Sequence, residues 1–405
     1  MAPTSKKKIT ETALAEATFA TRLLHGDHKF AGNGAVAPDI SVSTTFKQRE
    51  FPGDLPPEFK DVDSLNPECH VYSRYTQPVF TRVEKVLGNI CGGYATTYRS
   101  GLSAAFAALI YYKPKRVAFR DGYFGVREVI STYQKVNPDF KVIDIDEPYV
   151  QGDLVWIETP VNPTGEVKDI QYFADKAHAT SAHLVIDATF APPPLQDPFK
   201  FGADMVMHSA SKYFGGHSDL LGGVLVVKSE EAAVQLWKER VFLGSVMGSL
   251  EAFLLLRSLR TLELRVLKQS RTAAQLAQWL DRLARVPVGT EWDRVPGGIV
   301  TKVWHGSFQR HDVFVEKQMT GGHSPTFSIL VKDGKAARAL ALSLAFVTSA
   351  TSLGGVESLI EQRHVMDRRA DPKLLRISVG LEDIEDLKAD FRDAFRRVLK
   401  GESKL

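Results

Sequence analysis

The densest run of chemistry-bearing residues is His208-Ser209-Ala210-Ser211-Lys212-Tyr213-Phe214-Gly215-Gly216-His217-Ser218-Asp219, directly after an apolar stretch ending at Met207. In α/β sheets, ligands sit beyond the carboxyl ends of the strands, so a lone lysine there, between hydroxyls and glycines, is placed to meet an anionic aromatic cofactor. A lysine amine becomes a covalent catalyst when a partly desolvated, cation-rich pocket lowers its pKa, or when it is held as an imine. Lys212 suits that role, and Ser209 and Ser211 could hydrogen-bond a phosphate. Upstream, Leu184-Val185-Ile186 ends in the carboxylate of Asp187, with Thr189 two residues on. An aspartate against a pyridine nitrogen keeps the ring protonated and makes it an electron sink for a carbanion. Arg99-Ser100-Gly101-Leu102 precedes an Ala-rich helical run, whose first amides and positive dipole end suit a phosphate, with Gly101 and Leu102 as donors. Each feature has a blander alternative: a surface lysine, a turn aspartate, an ordinary N-cap. Their combination is what points to a cofactor.

The elements needed to position these residues can be read from apolar periodicity. From about residue 75 to 250, helical patterns alternate with short apolar strands at Arg116–Phe119, Leu154–Ile157, Leu184–Ile186, Met205–Met207 and Gly223–Val227. That alternation predicts an α/β fold with a mostly parallel sheet covered on both faces. Residues 1–60 read as an N-terminal arm with few periodic elements and a proline stretch at Pro52, Pro56 and Pro57. The large cofactor-binding domain is expected over 61–250, and a smaller α+β C-terminal domain over 251–405. In the latter, one long amphipathic helix is expected from Leu250 to about Leu283, strands near Ile299–Trp304 and Thr326–Val331, and a last helix at Ile384–Leu399.

Composition narrows the function classes. The chain has 405 residues, 44% hydrophobic and 24% charged, with a formal net charge of +3 and both signs interspersed. A nucleic-acid role has no support in that balance, and a small substrate is expected. Cys69 and Cys91 lie in no CxxC or Cys/His cluster, so neither a zinc site nor a disulfide framework is expected. His208 and His217, beside a strand end and a Gly-Gly turn, read as structural hydrogen-bonding residues rather than metal ligands or general bases. The Lys6-Lys7-Lys8 start is not followed by an apolar run, and no stretch reaches the roughly 18 apolar residues that suggest a membrane span, so neither a signal peptide nor a membrane anchor is expected. The final Ser403-Lys404-Leu405 matches the peroxisomal address, giving an expectation of peroxisomal import, with the cytoplasm as the other possibility.

Tyr72-Ser73-Arg74-Tyr75, Ser100-Gly101-Leu102, Glu158-Thr159-Pro160-Val161-Asn162-Pro163-Thr164-Gly165, the strand-end Asp187, the Lys212 segment and Ser352-Leu353-Gly354-Gly355-Val356-Glu357-Ser358-Leu359 occur in that order. Over about residues 18–398 the chain thereby resembles the Cys/Met metabolism enzymes dependent on pyridoxal 5'-phosphate (PLP). That family includes cystathionine γ-synthase, cystathionine γ-lyase, cystathionine β-lyase and methionine γ-lyase. The resemblance implies the fold of a fold-type I PLP-dependent transferase and a homotetramer of paired dimers. It further implies that Lys212 is the Schiff-base lysine and proton shuttle, that Asp187 meets the pyridine nitrogen, and that Tyr123 stacks on the ring. Ser209, Ser211, Gly101 and Leu102 would hold the phosphate, joined by Tyr72 and Arg74 from the adjacent subunit. Asn162, Ser352 and Arg376 would bind the substrate α-carboxylate, the guanidinium of Arg376 as a bidentate fork.

Three departures from the family pattern bear on the reaction. Tyr123-Phe124-Gly125-Val126-Arg127 stands where many members read YGGTYR; Thr351 replaces the glutamate that many γ-acting members place before SLGG; and Ala188 replaces the common asparagine after the aspartate. Without the glutamate, the site lacks a carboxylate for a distal ammonium such as cystathionine's. The expected activity is a carbon–sulfur lyase of trans-sulfuration, eliminating at Cβ or Cγ of cystathionine or a related S-substituted amino acid, because a lyase needs no second-substrate site. The alternative is γ-replacement on an O-acyl homoserine, as in cystathionine γ-synthase. A cofactor-binding but idle scaffold is argued against by the intact set of Lys212, Asp187 and Arg376.

Overall fold

The computed structural model describes residues 9–30, 36–47 and 63–401. The terminal Ser403-Lys404-Leu405 and the prolines Pro52, Pro56 and Pro57 lie outside the described residues. Among the described residues, the larger sheet is built from β1 (Tyr94–Tyr98), β2 (Arg116–Ala118), β3 (Lys141–Ile143), β4 (Leu154–Glu158), β5 (His183–Asp187), β6 (Met205–Ser209) and β7 (Gly223–Val227). They lie in the order β1-β7-β6-β5-β4-β2-β3, and β7 runs antiparallel to both its neighbours while the other pairs are parallel. The expected mostly parallel α/β sheet is therefore present.

The apolar runs become strands because both their faces are covered. Leu154 and Trp156 of β4 face one core and Val155 and Ile157 the other, and Met205, Val206 and Met207 of β6 alternate in the same way. One face packs against α3 (Pro78–Cys91), α6 (Ile170–His178) and α8 (Ser249–Leu259); the opposite face packs against α4 (Gly101–Tyr112), α5 (Phe124–Val136) and α7 (Glu230–Leu243). Ahead of these, α1 (Glu11–Glu16) and α2 (Phe19–His25) belong to the N-terminal segment, where Leu23 is buried against α3 and Arg22 Nη1 donates to Asn89 O at 2.9 Å.

The long helical pattern after Leu250 is two helices rather than one, α8 and α9 (Leu262–Ala284). The carbonyl of Ser258 accepts from Thr261 N at 3.2 Å, from Thr261 Oγ1 at 3.2 Å and from buried Arg265 Nη2 at 3.0 Å, so local donors take over from the regular helical bond. Leu262 and Val266 of α9 lie in the core of the large sheet, while Ala273, Leu276, Leu280 and Leu283 lie in a second core. That second core surrounds a sheet ordered β10-β11-β14-β13-β12. A short hairpin, β8 (Glu291–Trp292) and β9 (Val295–Pro296), precedes its strands β10 (Val300–Trp304), β11 (Thr326–Val331), β12 (Thr348–Ser349), β13 (Leu359–Gln362) and β14 (Leu374–Ser378). Its remaining helices are α10 (Val313–Gln318), α11 (Gly334–Ser343), α12 (Arg363–Met366) and α13 (Ile384–Lys400). On β14, Leu375 and Ile377 are buried in this core, so by strand alternation Arg376 between them faces away from it.

Candidate active site

The carboxyl ends of β4, β5 and β6, the start of α4 and the face of β14 bearing Arg376 converge on a cavity of about 430 Å³. Of the residues singled out in the sequence, Gly101, Leu102, Tyr123, Asn162, Asp187, Thr189, Ser209, Ser211, Lys212, Ser352 and Arg376 all line it. Tyr72 and Arg74 do not. They border a separate hollow with Gln77, Gly244 and Gly248, where the Arg74 guanidinium lies 5.3 Å from the ring centres of both Tyr72 and Tyr75. Their segment is tied to the N-terminal stretch, with Ser73 N donating to Thr44 O at 2.8 Å and Phe46 N to Val71 O at 3.2 Å.

Lys212 follows β6 in a turn closed by its own N–H to Ser209 O at 3.2 Å. Its Nζ donates to Ser352 Oγ at 2.8 Å. Burial lowers the amine pKa to about 8, helped by the nearby Arg376 cation and opposed by Glu361. Ser352 holds its hydroxyl there from a left-handed conformation, φ 80°. The lysine is thus partly neutral near physiological pH, as a nucleophile or base must be.

At the end of β5, Asp187 is buried, which pushes its carboxyl up to about 6 against the hydrogen bonds from Thr189. Both Thr189 donors use one oxygen, N at 3.0 Å and Oγ1 at 2.6 Å on Oδ1, and Oδ2 has no hydrogen bond to a described residue. A buried carboxylate with one open oxygen fits a protonated ring nitrogen. Thr189 Oγ1 also accepts from Ser209 N at 2.9 Å, locking the ends of β5 and β6 together. Thr189 thus supports Asp187 and the end of β6 while itself lining the cavity.

The phosphate end of such a cofactor would meet the start of α4. Ser100 caps this helix, its Oγ accepting from Ser103 N at 3.1 Å, which leaves the amides of Gly101 and Leu102 at the cavity. A Cβ on Gly101 would stand 3.1 Å from Ser209 Cβ and Oγ, so glycine keeps this cradle open. Ser211 Oγ accepts from Gly222 N at 3.0 Å and its hydroxyl proton remains for an anion. Tyr123, directly before α5, borders the cavity with its ring in edge contact with Phe124, 4.9 Å between centres. Lysine, acid, amide cradle and aromatic ring together fit PLP.

The substrate end centres on Arg376, whose guanidinium donates to Asn162 Oδ1 at 3.2 Å and to Ser352 O at 2.7 Å. Three charged lining residues received no role from the sequence: Glu158, Glu361 and Arg363. Glu158 Oε2 accepts from Tyr123 N at 2.6 Å and Oε1 from Asn162 N at 2.8 Å, so one carboxylate positions both loops. Burial and then the neighbouring Asp187 charge hold it well above the usual carboxylate range. Its only signal in the sequence was the acidic residue heading the Asn162 motif. Glu361 Oε2 lies 2.5 Å from Arg376 Nη2 and 2.8 Å from Arg363 Nη1. No sequence signal flagged that pair, which depends on β13 lying beside β14 with Glu361 opposite Arg376.

Arg127, in the departing loop, lies over the Phe119 ring with 5.9 Å to its centre, and Ala188 is buried with its N–H on Met207 O at 3.0 Å. His208 is buried against Phe214 and His217 Nδ1 bonds Gly215 O at 2.8 Å, as residues that hold structure do. Among the described residues there is no group of three or more His, Cys, Asp or Glu side chains that could hold a metal ion, and no helix long and apolar enough to cross a membrane.

The sequence profile of the Cys/Met metabolism PLP-dependent enzymes matches residues 20–396. The chain is 30% identical to a cystathionine beta-lyase from Lactococcus lactis subsp. cremoris, covering 93% of this chain and 98% of that one. It is 32% identical to a cystathionine gamma-synthase from Escherichia coli, covering 95% and 99% respectively. The structure also superposes on that of a methionine gamma lyase from Micromonospora echinospora with a TM-score of 0.79 at 32% identity, covering 94% of this chain and 99% of the other. These names span a beta-lyase, a gamma lyase and a synthase.

Proposed function

Since the chain belongs to the Cys/Met metabolism PLP-dependent enzyme family, with PLP as its cofactor, we propose that it is a carbon–sulfur lyase acting on cystathionine or a related S-substituted amino acid. The observation that carries this reading is the convergence of Lys212, Asp187, the α4 amides and Arg376 on one cavity. Elimination needs these groups and no second amino-acid site.

When bound, PLP supplies the electron sink for negative charge at the substrate α-carbon. Asp187 would hold the proton of the ring nitrogen through its open oxygen, while Gly101, Leu102, Ser209 and Ser211 would hold the phosphate. Arg376, with Asn162 and Ser352, fixes the α-carboxylate and so aims the α-hydrogen at the lysine. Lys212 Nζ, neutral in the pocket, takes the α-proton. Loss of a thiolate from Cβ, which departs with a proton as the thiol, ends with the consumption of one water in pyruvate and ammonia; loss from Cγ needs further proton transfers by the same amine and ends, again with one water consumed, in 2-oxobutanoate and ammonia.

One observation favours the synthase-like alternative. A groove of about 260 Å³ adjoins the cavity and shares Thr351, Glu361 and Met366 with it, which would give an incoming thiol a place to bind during γ-replacement on an O-acyl homoserine. Identification of the keto acid formed from cystathionine and other S-substituted cysteines and homocysteines by the purified holoenzyme separates the readings. Pyruvate or 2-oxobutanoate is the expected result and also fixes the carbon at which elimination occurs. No keto acid, together with consumption of O-acyl homoserine when cysteine is added, would replace the lyase with the transferase.

We propose in addition that the active form is a homotetramer of paired dimers. The support is that Tyr72 and Arg74 sit outside the cavity of their own chain, on an open surface hollow where a second copy could receive them.

A further inference from the structure

The wall of the cavity beyond Arg376 carries a second guanidinium. Arg363 follows β13 directly, is only 6% exposed, and lines the cavity together with Thr351 and Met366. Arg363 and Arg376 bind the same oxygen of Glu361, which places their nitrogens within two hydrogen-bond lengths of each other. One carboxylate between two guanidiniums leaves an uncompensated positive charge.

The two arginines differ in what they have left to offer. Arg376 is held by Asn162, Ser352 and Glu361, and Ser352 also receives Lys212 Nζ. Arg363 uses only Nη1, for Glu361; its Nε and Nη2 make no hydrogen bond to a described residue, yet are not among the donors sealed in the interior. A nearly buried guanidinium with an open donor edge suits a planar anion. Thr351 reinforces this, since it offers a hydroxyl where many γ-acting relatives place a carboxylate. The charge of this wall is therefore basic where an ammonium-binding wall would be acidic.

We propose that Arg363 determines specificity by receiving a carboxylate at the far end of the substrate side chain, beyond the scissile bond, while Arg376 receives the α-carboxylate. The proposal rests on the reading that the Lys212 cavity is the substrate site and narrows its substrates to amino acids that carry a carboxylate at the distal end.

The test is a matched pair of ligands titrated into the holoenzyme, S-(2-carboxyethyl)-L-cysteine and its neutral amide S-(2-carbamoylethyl)-L-cysteine. Dissociation constants are read from the change in visible absorption, and keto-acid release is followed in parallel. The wild type is expected to prefer the acid by roughly 10- to 100-fold, the scale of a charge-assisted hydrogen-bond pair. Arg363→Gln should bring the ratio towards one by weakening the acid, and Arg363→Lys should leave it intermediate. Equal binding by the wild type would overturn the proposal, as would an Arg363→Gln protein that loses both ligands equally, because Arg363 would then only position Glu361 and Arg376. Should Arg363→Gln not fold, the wild-type ratio and Arg363→Lys decide, an unchanged ratio in the lysine variant being the contrary result. Discrimination without keto acid from either ligand, both S-substituted cysteines, would exclude elimination at Cβ while leaving this proposal standing.

Discussion

Lys212 owes its reactivity to its surroundings, since burial and the Arg376 cation both favour the neutral amine while Glu361 opposes them. The sign has a measurable consequence. An amine with its pKa near 8 is about half neutral at pH 8, whereas an ordinary lysine titrating near 10.4 is neutral well under one time in a hundred. Only the neutral amine can take up the cofactor, so the rate at which apoprotein regains its visible absorbance with PLP should rise with pH and level off above about 8. Arg376→Ala removes a neighbouring positive charge and should move that limb upward; a limb that stays above pH 10 in the wild type would contradict the environment described. The individual residues were legible in the sequence to the extent that local position defines them. Asp187, Ser209 and Lys212 stand at or just beyond strand ends and Gly101 opens a helix, and such places carry ligands whatever the rest of the chain does. Glu361 and Arg363 were not legible, because their relation to Arg376 arises from pairing between β13 and β14 and leaves no local mark.

The elements followed their apolar patterns where burial is two-sided. β4, β5, β6 and β7 are buried along almost their whole length, and hydrophobic runs of that length flanked by turns could be read directly. The edges of the same sheet are less plain: β3 has two exposed residues, because this edge strand packs fewer side chains into the core, while β1 is buried but its threonines interrupt the apolar run. The break between α8 and α9 escaped the periodicity because both helices keep an apolar face, and only the donors gathered on Ser258 O divide them. Glu158 belongs to this scale as well. By accepting one amide from the Tyr123 loop and one from the Asn162 loop, it ties the ring-facing and carboxylate-facing parts of the site to the end of β4.

At the scale of the whole molecule, two sheets and the helix α9 spanning their cores create the cavity, while the residues expected to complete it from another copy remain on the surface. If Arg74 serves the adjacent subunit, Lys212→Ala and Arg74→Ala proteins should each show little activity alone. After mixing and reassembly they should regain up to about a quarter of wild-type activity, since half of randomly paired dimers then hold one complete site of two. No recovery in verified mixed assemblies would return Arg74 to a purely structural role. Every step proposed above depends on Lys212 being the amine that takes the cofactor, and the visible spectrum of Lys212→Ala after incubation with PLP and removal of the excess tests that most directly. The account predicts that the wild type retains a protein-bound visible band and the variant loses it, together with all keto-acid formation; a variant that kept the band and turned over substrate would contradict it.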